Sequence, residues 1–186
     1  TIKILVPGRI VPIKNSMDAV LLLKALRDNC FAAEMVLVGK VADDSYYEEI
    51  QTLVNKLDLE DSIKFKSMTD QDTLSQLYRT SDFCFFPSRQ EFGLSRVPLE
   101  AMASGALVIS YGGESSNEII EHKRTGLLVE EGALSQAADW IVALTKSREK
   151  YFEIRQNARV EVEKKYSLAS YVDQVESYLN FILEGR

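Results

Sequence analysis

S-D-F-C-F-F-P-S-R-Q-E-F-G-L-S-R-V-P-L-E-A-M-A-S-G-A-L-V-I-S, residues 81–110, reads as a strand, a polar turn, a helix and a second strand in immediate succession. Phe83, Cys84, Phe85 and Phe86 form an unbroken apolar run, as a strand covered on both faces requires. Pro98 suits the first position of a helix, where its missing N–H costs nothing. Glu100 then falls in the first helical turn, beside free backbone N–H groups and the positive end of the helix dipole. Ala106 to Ser110 closes the unit as a second buried strand. A strand–loop–helix junction of this kind favours a bound anion.

The same alternation continues on both sides of this unit. Ile2 to Gly8 is an apolar strand, and a helix over Ser16 to Asn29 carries Ala19, Val20, Leu22, Leu23 and Leu26 on one stripe. Met35 to Gly39 is a second strand. Asp44 to Leu57 is a helix with Tyr47, Ile50, Val54 and Leu57 in phase, and Ser62 to Phe65 is a further strand. Thr69 opens the next helix as its N-cap, with Asp70 and Asp72 in its first turn and Leu74, Leu77 and Tyr78 facing inward. After residue 110 come Gly112-Gly113, a short helix from Asn117 to Glu121, a strand from Gly126 to Val129, and helix from Leu134 to the end. Strands that are apolar throughout, alternating with helices, define an α/β class: a Rossmann-like parallel sheet of about six strands with helices on both faces. Residues 1–166 are expected to form one ligand-binding domain. Residues 167–186 form an amphipathic helix, with Leu168, Tyr171, Val172, Val175, Leu179 and Ile182 on its apolar face, packing on that domain or on another.

The totals narrow the function. The chain has 186 residues, enough to bury a substantial core, and 46% apolar with 27% charged residues is ordinary for a soluble globular protein. A net charge of -6 argues against a nucleic-acid surface, which needs a basic footprint. Cys30 and Cys84 both sit in apolar contexts and read as buried free thiols in a reducing compartment, the cytoplasm. No apolar run approaches the ~20 residues of a membrane span, and no signal peptide is expected. The chain enters a strand almost at residue 1, as a domain cut from a longer protein does.

In parallel sheets of this kind ligands sit beyond the carboxyl ends of the strands. Those ends are Gly8-Arg9, Gly39-Lys40, Lys66-Ser67-Met68, Ser88 to Ser95 and Tyr111-Gly112-Gly113. Arg9 and Lys14 can clamp a diphosphate, Arg9 through a planar fork and Lys14 as a point charge, or they can be two solvated loop charges. Glu91 and Glu100 can accept hydrogen bonds from sugar hydroxyls, or serve only as a turn carboxylate and a dipole-stabilised helix residue. A phosphate cradle flanked by two acids suggests a nucleotide sugar. Asp70-x-Asp72 reads as a helix start, as does Asp43-Asp44, so no metal is expected. His122, the one histidine in the chain, reads as a solvated loop residue. No G-x-G-x-x-G follows the first strand and no Walker pattern occurs, which disfavours a dinucleotide oxidoreductase and a P-loop enzyme. A flavodoxin-like receiver would need acids where Gly8-Arg9 stand.

G-R-I-V-P-I-K-N (8–15), L-V-G-K (37–40), residues 87–110 and N-E-I-I-E-H-K-R-T-G-L-L-V (117–129) together resemble family-4 retaining glycosyltransferases of the GT-B fold, over about Ile2 to Val129. The chain resembles their C-terminal, donor-binding half. The resemblance implies that Arg9 and Lys14, next to Gly8, bind the donor diphosphate, and that Glu100 holds the ribose hydroxyls. Backbone N–H groups near Gly93, Leu94 and Ser95, beside Phe92, would touch the phosphates or the sugar. Lys66, Ser67 and Met68 would border the base, and Glu91 would reach the transferred sugar, making Glu91, Arg9 and Lys14 the catalytic set. No metal or other cofactor is implied. The acceptor, a glycan, lipid or protein, would bind mainly to an N-terminal domain, and this half alone would not turn over. The full-length enzyme would be cytoplasmic, with peripheral attachment to the inner face of a membrane as one arrangement. Two departures stand out: one residue more separates Glu91 from Glu100 than in the family pattern, and Asn15 replaces a frequent glycine. The competing expectation is a catalytically inactive nucleotide-sugar-binding or interaction module.

Overall fold

The computed structural model describes residues 1–67, 70–89 and 93–184, residue 114 by its backbone alone. Its strands are β1 (Ile2–Pro7), β2 (Ala33–Val38), β3 (Ile63–Lys66), β4 (Phe83–Phe86), β5 (Leu107–Tyr111) and β6 (Leu127–Val129). They form a 6-stranded sheet in the order β3-β2-β1-β4-β5-β6, with every pairing parallel. Between them run α1 (Ser16–Asp28), α2 (Asp44–Lys56), α3 (Gln71–Thr80), α4 (Arg96–Ser104) and α5 (Glu114–Ile119), followed by α6 (Leu134–Lys146), α7 (Arg148–Lys165) and α8 (Leu168–Glu184). The chain winds outward from β1 to β3 and then returns to the other side of β1, so the order reverses between β1 and β4. That is the doubly wound order whose switch point opens a crevice at the carboxyl ends of the strands. Among the described residues no helix is long and apolar enough to cross a membrane.

Successive strand residues serve opposite faces of the sheet. Ile4, Val6, Phe83, Phe85, Leu107 and Ile109 pack under α1, α2 and α6, joining Leu22, Leu26, Ile50 and Ile141 in one core. Leu5, Cys84 and Val108 point the other way and meet Tyr78, Met102, Ala158 and Val162 from α3, α4 and α7. Phe85 is 0% exposed, so Phe85→Ala removes a full aromatic volume from a closed core at a cost of about 3–5 kcal/mol.

Local chemistry sets the boundaries. Asp70, not Thr69, caps α3: its side chain accepts the Thr73 N–H at 2.7 Å and the Thr73 hydroxyl at 2.9 Å. Asp43 caps α2 in the same way, accepting the Tyr46 N–H at 3.0 Å. The aspartates are therefore helix caps, and the cap bonds hold both carboxyls below the usual carboxylate range. α4 opens at Arg96 rather than at Pro98. Pro98 is thus its third residue, where an N–H also has no intrahelical acceptor. Glu100 consequently lies beyond the first turn. Gly105, at φ 83, ends α4, with Gly105 N–H on the Met102 carbonyl and Ala106 N–H on that of Ala101 at 2.9 Å. α5 starts at Glu114, ahead of the expected Asn117, and the helical stretch after Leu134 is divided into three helices.

Two cysteine expectations part company. Both thiols are free, but Cys30 is exposed, in a left-handed turn (φ 56) after α1, while Cys84 is buried in the sheet. Apolar sequence neighbours did not bury Cys30, because the turn throws it outward.

Candidate functional site

A cavity of about 470 Å3 opens beyond the carboxyl ends of β1 and β2 and against the start of α4. Gly8 and Arg9 enter it from the loop after β1, and Gly39 and Lys40 from the loop after β2. Leu94, Ser95, Arg96, Val97 and Glu100 enter from the other side. The two features expected to share one anion, the cationic loop after the first strand and the mouth of the helix after the fourth, therefore face one space. Among the described residues, Arg9, Lys40 and Arg96 give this cavity three cations against the one carboxylate of Glu100. None of the three is ion-paired with a carboxylate among the described residues. In a chain of net charge -6, that concentration of unneutralised positive charge is local and selective for anions.

Close backbone approach makes the rim. A β-carbon on Gly39 would stand 2.0 Å from the Gly8 carbonyl oxygen, and both glycines hold positive φ, 156 and 154. Only hydrogen fits there, so the two loops lie against each other and carry Arg9 and Lys40 to one edge.

Glu100 is half-buried and oriented. The Tyr78 hydroxyl, on a residue 1% exposed, donates to Glu100 Oε2 at 3.1 Å. Burial first, then the neighbouring Cys84 and Glu100, push the Tyr78 hydroxyl far above its ordinary value. It remains a proton donor throughout the working pH range, which fixes one carboxylate oxygen. Burial also raises the Cys84 thiol, so this cysteine is inert packing.

Lys14 ends a short 3-10 turn (Pro12–Lys14) and does not line the cavity. Its stem runs along Gly8, 3.9 Å from where a β-carbon there would sit, and its ammonium lies 5.7 Å from the centre of the Phe86 ring. It is thus beside the cavity, on the side of β4. The departure at Asn15 has a plain cause: residue 15 takes the left-handed conformation, φ 52, which asparagine tolerates far better than most residues. The loop after β4 is tied to the same turn, with Arg89 N–H donating to the Ile13 carbonyl at 3.1 Å and Arg89 paired with Glu131 at 2.7 Å.

Other expected residues are engaged otherwise or fall elsewhere. Ser95 N–H is already bonded to Ser115 Oγ at 3.1 Å, so it is not open to a ligand in this arrangement. Gly93 is exposed, at φ 74, outside the cavity wall. Ser67 lines a second cavity of about 430 Å3, walled by Leu37, Tyr47 and Phe65, that among the described residues shares only Gly39 and Lys40 with the first. Met68, Thr69, Gln90, Glu91 and Phe92 lie outside the described residues, so the expectations placed on Met68, Glu91 and Phe92 have no structural counterpart here. A further cavity of about 400 Å3, at the opposite end of the sheet around Ile2, Asp82 and Tyr151, holds none of the expected residues. Sequence reasoning missed Lys40, Arg96 and Tyr78 as site residues. Lys40 was visible as a strand-end cation, whereas Arg96 and Tyr78 required knowing where α4 begins and which way α3 faces.

Fold and cavity define a Rossmann-like α/β domain with an anion-attracting crevice at its switch point. The chain belongs to the glycosyl transferases group 1 family, whose model matches residues 1–161. Among curated relatives, N-acetyl-alpha-D-glucosaminyl L-malate synthase of Bacillus anthracis is 34% identical over 146 residues, which is 78% of this chain and 36% of that protein. Among solved structures, Anabaena HepE in complex with UDP and glucose superposes with a TM-score of 0.87 at 22% identity, over 97% of this chain and 48% of that one. The C-terminal domain of a glycosyl transferase group 1 family protein from Francisella tularensis superposes with a TM-score of 0.79 at 25% identity, over 90% of this chain and 87% of that domain. Both solved structures share the GT-B glycosyltransferase-domain architecture. The chain thus spans about a third of the first relative's length and about half of HepE.

Proposed function

We propose that this chain is the nucleotide-sugar-binding half of a retaining glycosyltransferase, completed by an N-terminal acceptor-binding part. The observation that carries the reading is the shared cavity, with Arg9, Lys40 and Arg96 around it and Glu100 held by Tyr78. The donor's diphosphate lies among the cations near the mouth of α4, and Glu100 accepts the ribose hydroxyls. Glu91 reaches the transferred sugar. Transfer breaks the bond between the anomeric carbon and the diphosphate oxygen, while the acceptor hydroxyl oxygen forms the new bond on the same face and passes its proton to that departing oxygen, keeping the anomeric configuration. Negative charge grows on the leaving diphosphate. Arg9, in the cavity wall, and Lys14, on the same loop beside the cavity, supply positive charge to the leaving group, and removing one such group costs on the order of 100-fold in rate. We assign no metal or organic cofactor. The free thiols fit a cytoplasmic enzyme, and the apolar face of α8 is covered by the N-terminal part.

Calorimetric titration of the chain with UDP and GDP tests the reading. The expected result is binding of at least one nucleotide by the wild-type chain, weakened at least tenfold in Arg9→Ala and in Lys14→Ala. Absence of binding to both overturns it and leaves an interaction module as the function.

A further inference from the structure

We propose that Asp18 and Tyr111 are positioning residues for Lys14, clamping from the end of β5 the turn that presents its ammonium to the donor diphosphate. The proposal rests on the nucleotide-sugar reading above. The turn needs an external anchor, since Pro12–Lys14 buries no residue of its own. One anchor is the Ile13 carbonyl, which accepts the Arg89 N–H at 3.1 Å, and the other is Asn15, which is 2% exposed and held at φ 52. The Asn15 side-chain amide donates to Asp18 Oδ2 at 2.6 Å. The Tyr111 hydroxyl donates to the same oxygen from 93 residues away in the sequence. Tyr111 is itself immobile: it is 3% exposed and packs edge-on against Phe85, ring centres 5.8 Å apart. Phe85 adjoins Phe86, whose ring lies under the Lys14 ammonium. One carboxylate oxygen therefore joins the left-handed residue after Lys14 to the strand end behind it. Burial, then Asp18, raise the Tyr111 hydroxyl well above its ordinary value, so it stays a proton donor across the working pH range. A second tether acts on the next residues, because Met17 N–H donates to the Tyr46 hydroxyl at 3.2 Å. Among the described residues Arg9 has no such link to Tyr111, so loosening the clamp acts first on Lys14.

The test is UDP and GDP affinity of the chain, by calorimetry and, where weak, by NMR titration. Tyr111→Phe and Asp18→Ala are expected to weaken binding about tenfold. Asp18→Asn stays within about threefold of wild type, because a single amide oxygen can accept both bonds now made to Oδ2. In a Lys14→Ala background, Tyr111→Phe adds no further loss, whereas a role in folding alone would weaken binding equally in both backgrounds. Undiminished affinity in Tyr111→Phe and Asp18→Ala, or additive losses with Lys14→Ala, overturns the clamp alone. A wild-type chain that binds neither nucleotide overturns the nucleotide-sugar reading and the clamp with it.

Discussion

His122 shows how much one side chain contributes outside the ligand crevice. Its ring sits 5.9 Å from Trp140 in an edge contact, and its Nδ1 accepts the Leu128 N–H at 3.0 Å. Leu128 lies in β6, the last strand of the sheet, so this loop residue, exposed as expected, also satisfies a backbone N–H at the strand edge. A bare Nδ1 is required for that bond. Burial, then the adjacent Lys123 cation, lower the imidazole's affinity for protons below its ordinary value of 6.5. The unfolded chain therefore binds the proton more readily than the folded one. This contribution to stability is complete above about pH 6.5 and declines as the pH falls through 6.5 toward the lowered folded value. Urea unfolding at pH 7.5 and 5.5 should show a lower midpoint at the acid value, and His122→Asn, which keeps an acceptor but does not titrate, should flatten the difference. An unchanged slope in His122→Asn would assign the pH dependence to other groups. Nothing in E-H-K-R announced this role, because it depends on β6 returning beside residue 122.

Elements were more legible than side chains, for physical reasons. F-C-F-F and L-V-I-S are apolar at every position because a central parallel strand is covered on both faces, and both are 0–2% exposed from Phe83 to Phe86 and from Leu107 to Ser110. Period-3.6 stripes likewise placed α1 and α2, although Tyr46 rather than Tyr47 is the buried tyrosine of α2. Helix starts were harder. Proline is tolerated at any of the first positions, so Pro98 could not say whether α4 began two residues earlier. The site's membership was hardest of all, because it follows from loops touching across the sheet. Gly39 is the clearest case: a glycine closing a strand is ordinary, yet here it lets the loops after β1 and β2 meet. Gly39→Ala should cost at least about 3 kcal/mol in chemical denaturation, since its β-carbon meets backbone and its φ is positive. Gly113→Ala is the control, with nothing within 4 Å of the added carbon and an extended φ of 171. Equal stability of the two variants would show that the loops can separate without penalty.

At the scale of the molecule the two sides of the domain differ sharply. Helices α1 to α7 bury their apolar faces on the sheet or on each other, but α8 packs chiefly along α7 and buries none of its residues. Leu168, Tyr171, Tyr178, Leu179, Phe181 and Leu183 are all more than half exposed. That concentration of apolar surface exceeds what isolated surface residues explain and calls for a covering partner. The helix carries Asp173, Glu176 and Glu184 and no lysine or arginine, so an anionic membrane surface would repel rather than hold it. A protein surface is the fitting cover, and the relatives' extra length supplies one in the proposed N-terminal part. Left alone, the chain should satisfy α8 against a second copy of itself. Sedimentation is expected to show concentration-dependent association at tens of micromolar, abolished in the double variant Leu179→Lys, Phe181→Lys. UDP affinity should be the same in both forms, because no residue of α8 lines the cavity that holds Arg9 and Glu100. A wild-type chain that stays monomeric at every concentration would mean that this face is stable in water and needs no cover. If instead the double variant loses nucleotide affinity, α8 contributes to the donor site itself and the division of labour between the two halves must be redrawn.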